Sequence, residues 1–373
     1  MKAWPVFGIS VVQVLLLVAH WFLYRTWMAF FDPASATVVF ALRVGFVVLA
    51  FSFVVASLLS FRFSNALVAV VYRLAAVWLG FLSYLFWAAI GSWLVWFAWH
   101  ALGLSTNPAA ERPWIAGALA AAALLAGVYG LVNARWIRVR RIAVELPGLP
   151  GNWRGRRAVL MSDLHLGTVN GAGFARRMVR LAEGLKPDIV FIPGDLFDGT
   201  KADLDGLVTP FKEMKARFGV YFSTGNHEEF AGTEHYLDAV ARAGMRVLSN
   251  ERVTVEGLHV AGVPFGDSTS PIRLQATLEG MGLDRNEASI LLNHMPSRLP
   301  IVERAGVSLQ VSGHTHGGQF APFTWFTRRV FGRFTHGMQR FGELQVYTST
   351  GAGTWGPPMR VGTAPEIVVF TFE

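Results

Sequence analysis

The chain has 373 residues, 53% of them hydrophobic, with a formal charge of +8 and no cysteine. Its length fits about two domains of ~100–200 residues each, but the apolar residues crowd the first third, where runs reach the ~20 residues that a bilayer-spanning helix requires. That distribution excludes a wholly soluble protein, and the missing cysteine excludes a thiolate metal cage while agreeing with a reducing compartment.

Four membrane spans are predicted, over 6–24, 38–60, 67–99 and 114–132, each about long enough for the hydrocarbon core. The first carries Trp21, Phe22 and Tyr24 at its end and lacks the small-residue cleavage pattern of a signal peptide, so it is read as a span. Trp4, Trp21, Trp27, Trp93, Trp96, Trp99, Trp114 and Trp136 fall near span ends, where amphipathic rings favour the headgroup layer. No Asp or Glu lies inside a span, and Arg43 and Arg73 sit where a long side chain can snorkel to the interface. This part of the chain, 1–134, therefore reads as an all-α transmembrane bundle that anchors and not as an ion path. Arg135, Arg138, Arg140 and Arg141 follow the last span, then Arg154, Arg156 and Arg157. Lys2, Arg62 and Arg73 add to the same side, whereas the other connections offer Arg25 and Arg112 beside Asp32 and Glu111. The asymmetry predicts an N-terminus and a soluble half on the cytoplasmic face.

Residues 135–157 read as a basic linker with a first strand over 137–144, closed by a turn at Pro147, Gly148, Pro150 and Gly151. Beyond it, 158–373 reads as one α/β domain. Strands are predicted over 158–161, 188–192, 220–223, 289–292, 309–311, 344–348 and 367–372, with a hairpin joining 253–255 to 258–261. Helical spacing covers 174–185 and 208–217. Strand, polar loop and helix alternate, which places a site at the carboxyl ends of the strands.

Five strands lead into polar motifs: SDLHLG with Asp163 and His165, PGDLFDG with Asp195 and Asp198, TGNHEE with Asn226 and His227, NHMP with His294, and GHTHGGQF with His314 and His316. Carboxylate, amide oxygen and neutral imidazole form a mixed O/N set suited to borderline divalent ions. The candidate ligands Asp163, His165, Asp195, Asn226, His294, His314 and His316 exceed what one ion uses. Two ions sharing a bridging carboxylate accommodate them, and such pairs, ~3.5–4 Å apart, suit phosphate ester hydrolysis.

In this order the five motifs resemble those of the calcineurin-like metallophosphoesterases, over about residues 159–372. The closing RVGTAPEI, which begins at Arg360, further resembles a bacterial membrane-associated branch that includes phosphodiesterases like the YkuE and YaeI proteins. The resemblance implies two packed mixed β-sheets flanked by helices, a location in the bacterial inner membrane, and two divalent ions, manganese ahead of Fe, Zn, Co or Mg. It assigns Asp163, His165 and His316 to the first ion, Asp195 to a bridge, and Asn226, His294 and His314 to the second. His227 would face the scissile phosphate, with Asp198 orienting its imidazole.

For substrate, Phe320, Phe323, Trp325, Phe326, Phe331 and Phe334 alternate with Arg328, Arg329 and Arg333 directly after the last motif. Such a run can enter a headgroup layer and receive a lipid-linked or nucleotide-linked phosphate, or it can pack on the last span or the core. Membrane lipids are the expected partners, and nucleic acid is not expected of a membrane-fixed enzyme. Within the family, UDP-2,3-diacylglucosamine pyrophosphatase of lipid A synthesis is the specific alternative. A non-catalytic membrane sensor or scaffold braced by metals is the rival of another class.

Overall fold

The computed structural model describes residues 3–230 and 232–373, with side chains from Phe7 onward. Lys2 and the Trp4 side chain, used above for topology and anchoring, lie outside the described residues. The chain divides into two compact units, one of four helices with the segment Gly356–Met359, the other of Asn133–Trp355 with Arg360–Glu373.

In the first unit, α1 (Ala3–Phe31), α2 (Ala36–Arg62), α3 (Ala66–Ala101) and α4 (Pro108–Ala134) are long and apolar enough to cross a bilayer. All four predicted spans are present, and each helix overruns its predicted span. A helix stops where its main chain is capped, not where hydrophobicity fades. Asp32 and Pro33 follow α1, and the Asn65 side chain accepts from the Val68 N–H at 3.0 Å to start α3. Before α4, Glu111 accepts from the Thr106 and Asn107 N–H groups at 2.8 and 2.9 Å. Large apolar side chains such as Leu125, 70% exposed, line the outside of the helices. The buried His20 is bonded at both nitrogens: the Trp78 indole N–H donates to Nε2 at 2.9 Å, so Nδ1 carries the proton that meets the Leu16 carbonyl at 2.7 Å.

The second unit begins with β1 (Arg138–Val144), β2 (Arg157–Leu160), α5 (Ala172–Gly184), β3 (Ile189–Ile192), α6 (Leu204–Val208), β4 (Val220–Phe222), α7 (Asn226–Glu229), α8 (Glu234–Arg242) and β5 (Arg246–Val247). It continues with β6 (Glu251–Val255), β7 (Leu258–Val263), α9 (Phe265–Thr269), α10 (Pro271–Met281), β8 (Ser289–Asn293), α11 (Leu299–Arg304) and β9 (Leu309–Ser312). It closes with α12 (Phe323–Phe331), β10 (Gly337–Phe341), β11 (Leu344–Thr348) and β12 (Glu366–Phe372). Two six-stranded sheets result, ordered β1-β12-β2-β3-β4-β5 and β10-β11-β9-β8-β7-β6. Both are mixed: β12 runs parallel to β1 and antiparallel to β2, and β6 pairs antiparallel with β7 as the predicted hairpin.

Successive side chains of a strand point to opposite faces, and here both faces are covered. Ala158, Leu160, Ile189 and Phe191 meet Ile290, Leu292, Leu309 and Val311 between the sheets. Their neighbours Val159, Val190 and Ile192 face Met178 of α5 and Val240 of α8. On the far side, Leu291 and Val346 pack on Leu274 and Leu278 of α10. The strands therefore read as continuous apolar runs. The helix predicted over 208–217 is instead α6 followed by a 3-10 turn over Thr209–Glu213, because Pro210 lacks the N–H that would continue an α-helix.

Candidate metal centre

Each predicted ligand lies beyond the carboxyl end of a strand. Asp163 and His165 follow β2, Asp195 follows β3, Asn226 follows β4, His294 follows β8, and His314 and His316 follow β9. Main-chain bonds tie the loops together: Asp163 N–H donates to the Gly194 carbonyl at 3.2 Å and Gly313 N–H to the His294 carbonyl at 2.9 Å. The His314 N–H donates to the Asp163 carboxylate at 2.9 Å, and the His227 N–H to that of Asp195 at 3.0 Å.

The seven side chains converge in two groups. In one, the Nε2 atoms of His165 and His316 are 3.0 Å apart and Asp163 Oδ1 is 3.5 Å from His316 Nε2. In the other, Asn226 Oδ1 lies 3.2 Å from His294 Nε2 and 2.9 Å from His314 Nδ1. Asp195 Oδ2 stands between them, 3.8 Å from His165 Nε2 and 3.2 Å from His294 Nε2. Asp163 Oδ2 is buried beside the cluster without a hydrogen-bond partner, which leaves a carboxylate oxygen free for an ion. An O/N donor set of this kind, buried except for the half-buried Asn226 and His314 and centred on the Asp195 carboxylate, fits divalent cations.

Burial governs the protonation of the set. It pushes His165 down to about 3 and His314 to about 4, and together with the Arg360 charge it holds His316 well below its ordinary value. Neutral imidazole is the form that ligates metal. His294 goes the other way: burial alone would lower it, but the carboxylates of Asp195, Asp163 and Glu228 together, Asp195 foremost, raise it to about 9. Burial likewise raises Asp163 to about 6, with His294 opposing.

The backbone carries a mark that no motif displays. Asp163, His165, Asp195, His314 and His316 all have positive φ, between 47° and 69°. Left-handed conformations of non-glycine residues cost about 1–3 kcal/mol each and persist only where the surroundings enforce them.

His227 joins the cluster, its ring 4.7 Å from that of His165. Its imidazole is oriented by Asp198, but not as predicted. His227 Nδ1 meets the Asp198 main-chain carbonyl at 3.0 Å, whereas the carboxylate accepts from the Thr200 N–H at 2.7 Å and the Thr168 N–H at 3.0 Å. A short aspartate in a tight loop satisfies its own turn before it reaches a neighbour.

Sequence reasoning missed Glu228. Its fully buried carboxylate accepts from the N–H groups of Asp195 at 3.0 Å, Phe197 at 2.9 Å and Gly225 at 2.8 Å, locking the second motif to the third. Burial, reinforced by the Asp195 charge, pushes it up to about 7. Its place directly after the GNH motif was the available signal.

The aromatic and basic run divides. Phe334 packs on Phe341 at the edge of the α10 core. Phe323, Trp325, Phe326, Arg328 and Arg329 instead lie on α12, none of whose residues is buried. Trp325 is 54% and Val330 74% exposed, with the Arg329 guanidinium 4.9 Å from the Trp325 ring. At the helix end Phe331 comes within 6.0 Å of the His314 ring, and Arg333 follows, donating to the Arg340 carbonyl. The start of α12 lies so close to Gly318 that a Cβ there would stand 2.5 Å from Thr324 Cα, so glycine is required.

A family model described as calcineurin-like phosphoesterase matches residues 156–318. The chain is 34% identical, over 67% of its length, to a zebrafish (Danio rerio) transmembrane protein with metallophosphoesterase domain, and covers 60% of that protein. It is 33% identical, over 67% of its length, to an uncharacterized metallophosphoesterase of Aquifex aeolicus, 97% of which it covers. YkuE, an uncharacterized metallophosphoesterase of Bacillus subtilis, is 29% identical over 69% of the chain and 94% of its own length. Some curated relatives are longer, and the chain spans only about three fifths of them.

Proposed function

The chain belongs to the calcineurin-like metallophosphoesterases, and from that premise we propose that it hydrolyses a phosphodiester or pyrophosphate bond of a lipid-linked substrate. The enzyme class, a metal-dependent phosphoesterase, follows from the family; the substrate is the proposal.

Asp163, His165 and His316 would hold one divalent ion, Asn226, His294 and His314 a second, and Asp195 would be shared between them. When bound, two such ions supply an acidified water and the charge that clamps a phosphate; manganese suits the O/N donors. The protein's own groups do the rest. His227, pinned at Nδ1 by the Asp198 carbonyl, presents its other nitrogen toward the cluster. There it can donate a proton to the departing oxygen, a role open to a histidine that is not itself a ligand. Glu228 keeps Asp195 and Asn226 in register through three main-chain donors.

The observation that carries the lipid reading is α12. An exposed helix with aromatic residues and two arginines, ending on a metal-centre histidine, is suited to the interfacial layer, where apolar rings sink among acyl chains and cations meet phosphates. Arg135, Arg138, Arg140 and Arg141 after α4 support a cytoplasmic placement of the unit in an inner membrane. A soluble phosphate ester would have no use for this surface.

The test is turnover by the full chain in nanodiscs, supplied with Mn2+. Expected are hydrolysis of an aryl phosphodiester and faster turnover of phosphate carried on a bilayer lipid. Lipid mass profiling of a deletion strain should show one accumulated phospholipid or nucleotide-linked lipid. Turnover of water-soluble esters alone, with an unchanged lipid profile, overturns the lipid assignment.

A further inference from the structure

An exposed aromatic side chain standing alone is ordinary on a protein surface. Here two of them meet at one imidazole. The Trp355 ring, 59% exposed, lies 5.9 Å from the His227 ring, and the Phe230 ring, 71% exposed, lies 5.3 Å from it, although His227 itself is buried. Neither aromatic has a part in the chemistry described so far.

Their main chain is held on more than one side. Gln319, in the motif of His314 and His316, donates from Nε2 to the Trp355 carbonyl and accepts at Oε1 from the Trp355 N–H, each at 2.9 Å. Just before Trp355, the Ala352 and Gly353 N–H groups donate to the Ser162 and Asp163 carbonyls at 3.0 and 2.8 Å. Phe230 directly follows α7, whose Glu228 is fixed by the three N–H groups named above. Its neighbour Glu229 accepts from the Thr224 hydroxyl at 2.9 Å and the Gly266 N–H at 2.8 Å. The loops of the candidate metal centre thus carry two rings fixed at the backbone and open at the face, so covering them costs little ordering.

Position decides what covers them. As His227 gives its proton to the departing oxygen, the bond from that oxygen to phosphorus breaks, the oxygen of water takes its place on phosphorus, and a proton released from water restores His227. The group carried by the departing oxygen then lies beside Phe230 and Trp355. Phe265 and Phe331 stand by His314 instead, 5.8 and 6.0 Å from its ring, and Phe331 belongs to α12, the face suited to acyl chains. An aliphatic chain is served there. The short, rigid, flat faces beside His227 match another flat ring, which meets them edge-on or offset.

We propose that Phe230 and Trp355 form the leaving-group subsite and select a planar aromatic group on the departing oxygen. The proposal rests on the hydrolysis read above, with His227 as the proton donor.

The test is a competition inside one molecule. A phosphodiester bearing one naphthyl and one hexafluoroisopropyl group offers two leaving alcohols of similar acidity, one flat and one not. The full chain in detergent, supplied with Mn2+, should release naphthol over hexafluoroisopropanol in a ratio about 10–100-fold above that of alkaline hydrolysis, the range that stacking on aromatic side chains gives. Trp355→Leu and Phe230→Leu should each lower that ratio by at least about threefold, and the double variant should approach the alkaline value. Trp355→Phe, which keeps a ring, should retain most of the preference. Because both products come from one bound molecule, a change in metal loading, stability or overall rate leaves the ratio unmoved. The subsite is overturned if the wild type gives the alkaline ratio, or if the leucine variants keep the wild-type ratio, as a tryptophan serving only to touch a membrane would. It is also overturned if Trp355→Leu has no turnover at all, the mark of a structural role. A wild type that cleaves neither ester bond refutes the phosphodiester reading, and the subsite falls with it.

Discussion

The two halves of the candidate metal centre are built on different plans. Around Asp163, His165 and His316, all three side chains come from residues of positive φ, the imidazoles are held neutral by burial, and the Arg360 guanidinium donates to the His316 carbonyl. Around Asn226, His294 and His314, one ligand opens the short helix α7, only His314 has positive φ, and aromatic rings stand close by. Phe265 lies 6.0 and 5.8 Å from the rings of His294 and His314, and Phe331 6.0 Å from His314. The first half is fixed by strain and main chain; the second holds a proton on His294 and borders the exposed helix α12. A binuclear site need not be symmetric in rigidity, and the rigid half is the one that meets Arg360 of the closing motif.

The two halves meet at Asp195, whose Oδ2 stands between them. Asp195→Ala should abolish binding of both ions and lower kcat/KM for an aryl phosphodiester by about a thousandfold or more, the equivalent of several kcal/mol of Lewis-acid stabilisation. Metal analysis of the purified variant beside its kinetics checks this, and one retained ion would show that Asp195 is no bridge. Next in size is Glu228→Gln, which sets an amide N–H against a main-chain N–H while preserving shape. It should cost about 1–3 kcal/mol of stability, read as a lowered unfolding transition, with both ions weakened because Glu228 serves loops of both halves. Smaller still, replacing Trp325 and Phe326 together by serine should raise KM for a vesicle-borne phosphate about tenfold, on the order of one buried aromatic side chain. KM for the soluble aryl ester should stay the same.

The smallest effect is on pH. His294 is raised from 6.5 to about 9 in the folded, metal-free protein, so the folded state binds a proton that the unfolded chain has released. That stabilisation is complete below pH 6.5 and is lost as pH rises through 9. The unfolding temperature of metal-free protein should therefore fall by a few degrees between pH 7 and 9, measured by intrinsic fluorescence. Metal-loaded protein should not show the fall, since the ion takes the proton's place at His294.

The candidate ligands were legible because metal chemistry depends on side-chain identity, and DLH, GDLFD, GNHE, NHM and GHTH display it directly. The four helices were legible for the same reason, composition being the whole signal. Residues whose partners are main-chain carbonyls or N–H groups stood inside or beside those motifs, but the sequence did not disclose what they bond. Glu228 and Arg360 act on peptide groups, which every sequence offers everywhere, and Asp198 orients His227 through its own carbonyl and not its carboxylate. Left-handed φ at five candidate ligands is equally silent, because aspartate and histidine, unlike glycine, give no notice of it. The aromatic run was visible, but its division between α12 and the core depended on where a helix ended at Gly332.

The position of β12 sets an order of events during synthesis. Arg138 of β1 pairs with Glu366, and the same strand pairs Val368 with Leu160 of β2. A ribosome delivers α1 to α4 to the membrane machinery, then β1 through β11, before the strand that joins β1 to β2 exists. Until it arrives the first sheet has a gap, and Phe370 and Phe372 are missing from the layer between the sheets. The catalytic unit must therefore wait, tethered and incomplete, with apolar strand faces in need of protection from aggregation. Without Glu366–Phe372 the helices α1 to α4 would be intact while β1 and β2 had no strand between them.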